Sequence, residues 1–172
     1  MRGFLLDTNV LSELRRPAAD RSVRGFVAAQ AEDTLFVSEV TFAEIRFGVE
    51  QQAAPQRRRE IAVWLDRTLR PFFGPRALPL TEDVVLRSRL LLETGRRRGH
   101  VFSQLDLFLA ATASENALVA VTRDTIHFIA AGVPTLNPWT GAYVDAAGHA
   151  TVLSRLDSGD LLVRLRREAG RA

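Results

Sequence analysis

Along the first 140 positions the apolar residues follow two different rhythms. GFLLD at 3–7 and LVAVT at 118–122 are apolar runs that end in polar residues, which predicts short buried strands. TLFVS at 34–38 and RALPL at 76–80 show the same pattern less completely. Between them, apolar positions recur at helical spacing over about 22–30, 39–53, 56–70, 82–97 and 104–116. Ser38, Thr81 and Ser103 each stand just before a periodic stretch, as helix N-caps do, and acids occupy the turn after Thr81. Gly99 and Gly132 are plausible stops. Strands alternating with helices imply parallel strands joined by crossovers, hence an α/β fold of three layers with a short central parallel sheet flanked by helices.

PTLNPW at 134–139 carries two prolines and closes the regular pattern, so a compact domain is expected over 1–140. Residues 141–172 are rich in Gly, Ala, Asp and Arg, with an amphipathic stretch, VLSRLDSGDLLVRLRRE, broken by Gly159. A docked strand or helix, a partner-binding segment and a disordered tail all fit this C-terminal extension. The 172 residues, 47% of them hydrophobic, suffice for one substantial core. The absence of cysteine excludes disulfides, thiolate catalysis and Cys-based zinc sites, and fits the reducing cytoplasm. The apolar run before Asp7 is only three residues long and no run of about 18 appears, so neither a signal peptide nor a membrane span is expected.

All 23 basic residues are arginine. Without lysine there is no P-loop, no Schiff-base chemistry, and none of the phosphotransfer sites that normally carry one. The formal net charge is +3, and up to residue 140 there are 18 Arg against 16 acids. With the four candidate ligands below set aside, 18 face 12, a modest positive field suited to a polyanion. An ordinary solvated surface would give the same count.

Asp7 follows the first strand in LLDTNV, and Asp124 follows the 118–122 strand in AVTRDT. Open α/β sheets place ligands outside the carboxyl ends of parallel strands, so both would face one sheet edge. Each alone also fits a helix cap or turn. Glu44, in SEVTFAEIRFGVE, shares a helical face with Val40, Ala43 and Phe47. A carboxylate there needs a partner, or else snorkels to water from the edge of the stripe. Asp106, in SQLDLFLAATA, stands among Leu105, Leu107, Phe108 and Leu109 and is hard to place in water, unless it serves the first helical turn behind Ser103. Four carboxylates in one pocket raise one another's pKa unless a cation intervenes. All-oxygen ligation points to Mg²⁺ or Mn²⁺ rather than zinc, and such a site suits in-line phosphoryl transfer to water. His100, His127 and His149 form no close pair in the sequence and read as surface or turn residues, while Phe72 and Phe73 read as core. Thr8, Asn9, Thr122 and Arg123 flank two of the acids, where they are either ligand-bonding groups or simple turn residues.

LLDTNVLSEL, VSEVTFAEIRFGVE, LDLFLAATASENALVAVTRD and LNPW, in that order from about residue 3 to 140, together resemble the PIN-domain ribonucleases of the VapC toxin type, most of all the FitB-like branch. The resemblance implies that Asp7, Glu44, Asp106 and Asp124 form the acidic metal site, with Thr8 and Thr122 as supporting hydroxyls. It further implies Mg²⁺- or Mn²⁺-dependent cleavage of RNA, a toxin–antitoxin pair, homodimers, and inhibition by a small antitoxin whose tail occupies the active-site groove. Arg15, Arg16 and the runs 57–59 and 96–98 are candidates for RNA-backbone contact, or solvated helix faces. Two competitors remain. One is a silent PIN-fold module gripping a partner's arginines through its acidic pocket. The other is a phosphohydrolase of small phosphates, which the missing lysines and the lack of an Asp two residues after Asp7 argue against.

Overall fold

The computed structural model describes residues 1–169. Its centre is a sheet of order β3-β2-β1-β4-β5-β6-β7. Strands β1 (Gly3–Leu6), β2 (Leu35–Ser38), β3 (Ala77–Leu78), β4 (Leu118–Val121) and β5 (Thr135–Leu136) are parallel, with Leu6 opposite Val121. The expected parallel sheet is therefore present. It is extended by two antiparallel strands, β6 (Ala142–Val144) and β7 (Ala150–Val152).

Every residue of β1, β2 and β4 is buried because helices cover both faces. On one face Phe4, Leu6, Val119 and Val121 meet α1 (Thr8–Leu14), α2 (Arg21–Ala29) and α3 (Glu39–Gln51). Phe4 packs edge-on against Phe26 of α2, ring centroids 5.2 Å apart. The helix expected over 56–70 starts as α4 (Pro55–Trp64), passes through a π-helical turn at Leu65–Leu69 and ends in α5 (Arg70–Phe73) at Gly74, whose φ of +44° suits glycine. Phe73 is core, but Phe72 is 42% exposed beneath the Arg76 guanidinium, correcting its assignment to the core.

The long α6 (Glu82–Arg97) precedes α7 (Gln104–Glu115). On the second face of the sheet Leu5, Leu118 and Ala120 meet Leu109, Ala110 and Ala113 of α7 and Phe128 of α8 (Ile126–Ala130). The alternation of consecutive strand residues between the two clusters follows from the period of two. The predicted caps are in place: Ser38, Thr81 and Ser103 accept from the N–H groups of Val40, Val84 and Asp106.

Thr140 does not mark a break in the packing. After β7, the segment 153–157 returns along the sheet, and α9 (Leu161–Ala169) buries Leu161, Leu162 and Leu165 in the cluster that holds Phe4 and Leu6. The Gln30 amide donates to the Leu156 and Ser158 carbonyls, tying α2 to the extension. Among the described residues no helix is long and apolar enough to cross a membrane.

Candidate functional site

The strand order reverses between β1 and β4. Their parallel carboxyl ends leave a crevice, because the connections from the two strands depart in opposite directions. Asp7 follows β1 at this point, with its N–H on the Val121 carbonyl at 3.0 Å, and Thr122, Arg123 and Asp124 follow β4.

Asp7 caps α1 while facing the crevice. Its Oδ1 accepts from the Thr8 N–H at 2.7 Å. Its Oδ2 accepts from the Asn9 amide and the Thr122 hydroxyl, each at 2.7 Å. Thr122 is fully buried and also accepts from the Asn9 amide (2.8 Å) and the Asp124 N–H (3.0 Å). The turn role and the site role of Asp7 thus coincide. Burial raises the Asp7 pKa above the usual carboxylate range, and Asp106 and Asp124 push the same way against the bonds from Thr122 and Thr8.

Glu44 reaches the cluster from α3, where its Oε2 accepts from the Thr8 hydroxyl at 2.5 Å. Its pKa is raised too, first by burial and then by Asp7 and Asp106. Its surroundings differ from the expected apolar face. Helix α3 buries Val40, Thr41, Phe42, Ile45 and Val49, whereas Ala43 is exposed and Phe47 is 66% exposed. Glu44 lies at the edge of the buried stripe. Asp106 is half-buried in the first turn of α7, exchanging bonds with Ser103: its N–H donates to the hydroxyl, which donates back to Oδ2 at 2.6 Å. Capping and site placement again coincide. Asp124 is exposed at the mouth.

Asp7 therefore interacts electrostatically with Asp106, Asp124 and Glu44, and Asp106 with Glu44. Among the described residues, no three carboxylate or imidazole groups stand close enough as placed to share one ion. Asp7, Glu44 and Asp106 are each held by a neighbouring hydroxyl instead. The kind of donor still suits a hard divalent cation: all oxygen, partly withdrawn from water, and mutually repelling until a positive charge arrives.

Beside the acids runs a groove of about 520 Å³ whose lining includes Thr8, Glu44, Arg15, Arg16, Arg57 and Arg123. Three of the arginines expected to contact RNA are thus here. Arg96 and Arg97 lie elsewhere, in the last turn of α6, where they complement the helix dipole. Arg123 is fixed from several sides. Its N–H donates to the Asn9 side chain at 3.2 Å, and its carbonyl accepts from Asn137 at 3.4 Å. Its guanidinium lies 4.1 Å from the Trp139 ring centroid and 3.5 Å from Glu13. Glu13 is buried, with its pKa held low by the Asp20 N–H and then by Arg16. Sequence reasoning finds LNPW but not its partner in Arg123, since stacking leaves no periodic trace.

Two of the histidines depart from the expected surface or turn role. His100 and His127, 27 positions apart, sit ring to ring with Nε2 and Nδ1 3.1 Å apart, and His127 Nε2 lies 3.8 Å from Asp106. The chain turns after α6 to bring them together, with Gly95 leaving room for Phe102 beneath His100.

Residues 4–133 match the PIN domain family model. The chain belongs to the PIN-domain family, the class its topology and acidic crevice define. Within it, the chain is 37% identical over 139 residues to VapC ribonuclease Y4jK of Sinorhizobium fredii, covering 81% of this chain and 99% of that protein. It is 33% identical over 136 residues to toxin FitB of Neisseria gonorrhoeae, covering 79% and 98%. The crystal structure of FitAcB from Neisseria gonorrhoeae superposes with a TM-score of 0.75 at 32% identity, covering 79% of this chain and 98% of that one.

The Thr122 hydroxyl offers a local test. Thr122→Val keeps the shape but strands the Asp124 N–H without an acceptor and takes one from the Asn9 amide, a loss of about 1–3 kcal/mol. Urea unfolding is expected to show that loss, with Thr122→Ser restoring most of it.

Proposed function

We propose that this chain is the ribonuclease toxin of a toxin–antitoxin pair, hydrolysing RNA phosphodiester bonds with Mg²⁺ or Mn²⁺ held by Asp7, Glu44, Asp106 and Asp124. The observation that carries this reading is the electrostatic interaction of Asp7 with Glu44, Asp106 and Asp124 at the switch point of the sheet, the pKa values of Asp7 and Glu44 being raised first by burial and then by these neighbours. The names of the two relatives, a VapC ribonuclease and a toxin, support the reaction and the biological role.

Asp7 and Asp106 hold the first ion, while Glu44 and Asp124 complete the site or orient water. A bound divalent ion supplies an activated water and a counter-charge for the leaving oxygen. Thr122 and Asn9 keep Asp7 aimed into the crevice, and Thr8 does the same for Glu44. Arg15, Arg16, Arg57 and Arg123 offer guanidinium groups to phosphates on either side of the scissile bond. The nuclease unit is 1–140, with 141–172 as an addition to it. The chain works in the cytoplasm as a homodimer and is silenced by a small antitoxin seated in the groove.

The test is cleavage of single-stranded RNA by the purified protein in EDTA and after Mn²⁺ is restored. Cleavage is expected only with the ion. Because the ion binds the folded state, at a hundredfold excess over its Kd it adds about 2.7 kcal/mol of stability, read as a rise in Tm. Protons compete for the raised carboxyls, so ion affinity rises with pH. No cleavage and no Tm shift would leave a silent binding module.

A further inference from the structure

The edge of the sheet that carries the acids does not end with them. After β5 the chain passes through Asn137, Trp139 and Gly141, makes the β6–β7 hairpin and returns to the same edge, where the Leu153 N–H donates to the Gly141 carbonyl at 2.9 Å. Gly141 has φ +76°, and a Cβ there would lie 2.6 Å from the Leu153 oxygen, so the return is closely fitted. Leu153 and Leu156 are buried and anchor the segment, while Ser154 and Arg155 are left exposed opposite the start of α2. Between the two lies a cleft of about 370 Å³ lined by Arg21, Gly25, Trp139, Ser154, Arg155 and Asp157.

This cleft and the acid-site groove share a wall. Trp139 lines the first, Arg123 lines the second, and the Arg123 guanidinium lies 4.1 Å over the Trp139 ring. Crossing that ridge, the arginines continue: Arg57, Arg15 and Arg16 line the groove, Arg123 forms the crest, and Arg21 and Arg155 lie beyond it. Arg155 is bridged to Asp157, but Arg21 is exposed and has no ion pair among the described residues. The volume is at the low end of the roughly 300–1,000 Å³ of small-ligand pockets, room for a single nucleotide rather than a duplex. Polyanion binders track a backbone with a line of positive charge.

We infer that the cleft between α2 and residues 153–157 is a second RNA subsite, taking a nucleotide that flanks the scissile phosphate after the strand crosses the Arg123–Trp139 ridge. The inference rests on the ribonuclease reading above and names where its substrate goes next. Most of the cleft, from Pro138 to Gly141 and from Leu153 to Asp157, comes from residues beyond the 4–133 matched by the family model, and the relatives leave about a fifth of this chain unmatched. The extension therefore adds to a site that the shared domain already has.

Gly25 supplies the test. A Cβ there meets only the Asp157 Cβ, at an ordinary 3.5 Å, and a larger side chain also suits a helix better than glycine, so Gly25→Leu fills the cleft without opposing the fold. Binding of a labelled trinucleotide and of a single-stranded RNA of roughly 10 nucleotides is measured by anisotropy on the full chain carrying Asp106→Asn. The longer RNA is expected to bind tighter, and Gly25→Leu to reduce the ratio of the two affinities by about tenfold. Arg21→Ala, which leaves the cleft open, lowers the slope of log affinity against log salt for the longer RNA by about 0.7. An unchanged ratio and an unchanged slope overturn the subsite. So does loss of antitoxin binding in Gly25→Leu with RNA binding intact, which would put a protein segment in the cleft. If the parent chain cleaves RNA while these variants behave as it does, only the subsite fails. If it neither cleaves nor binds RNA, the ribonuclease reading fails as well.

Discussion

Asp106→Asn is expected to slow RNA hydrolysis by about a thousandfold, because several kcal/mol of transition-state charge stabilisation go with the anion and each 1.36 kcal/mol is a factor of ten. The substitution is nearly isosteric. The carboxamide oxygen that replaces the carboxylate can still accept the Ser103 hydroxyl, and the backbone N–H that Ser103 caps is untouched, so α7 keeps its start. What changes is charge. Asp106 raises the pKa of both Asp7 and Glu44, and its neutralisation lets those two ionise more easily. Without metal the variant should therefore be at least as stable as the parent, while the Tm rise on adding Mn²⁺ shrinks. That pairing separates a lost ligand from a damaged fold. A variant that cleaves like the parent would remove Asp106 from the site.

The same four residues show how far the sequence can be read. Asp7 and Asp124 are legible from position alone, at the ends of two apolar runs long enough to be unmistakable strands, and the switch point lies between those strands. Glu44 reaches the expected pocket for a different reason from the expected one. The apolar count of α3 cannot say which stripe faces inward, and the buried face passes through Phe42 and Ile45 rather than Phe47. Strands β3 and β5 have two residues each and β6 and β7 only three, too few for any period to register, so the last three are invisible in sequence although they widen the sheet. The His100–His127 pair and the Arg123–Trp139 stack join residues 27 and 16 positions apart through tertiary packing. Spacing rules based on one helix or one strand cannot detect such contacts.

Leu165→Ala is expected to cost about 2–5 kcal/mol, the range for deleting a buried leucine side chain. In sequence, the stretch around Leu165 is equally compatible with order and disorder, because amphipathicity does not specify the surface it will cover. The structure supplies that surface. Leu161, Leu162 and Leu165 follow helical spacing on one side of α9 and are buried with Phe4, Leu6, Phe26 and Tyr143. Polar links hold the helix from both ends of its path: Arg166 Nε donates to the Met1 carbonyl at 2.7 Å, and the Gln30 amide bonds the carbonyls of Leu156 and Ser158. Against a total stability of roughly 5–15 kcal/mol the loss is large. Val163, 44% exposed on the opposite side, is the internal comparison, and its replacement by Ala should change stability by less than about 0.5 kcal/mol. Unfolding followed by circular dichroism and by the fluorescence of Trp64 and Trp139 should give one coincident transition for the parent, shifted as a unit by Leu165→Ala. A separate early step confined to the variant would mean that the extension melts from a domain stable without it. Coincidence would mean that removing residues beyond 140 uncovers the apolar surface under α9 and destabilises the strand that leads into Asp7.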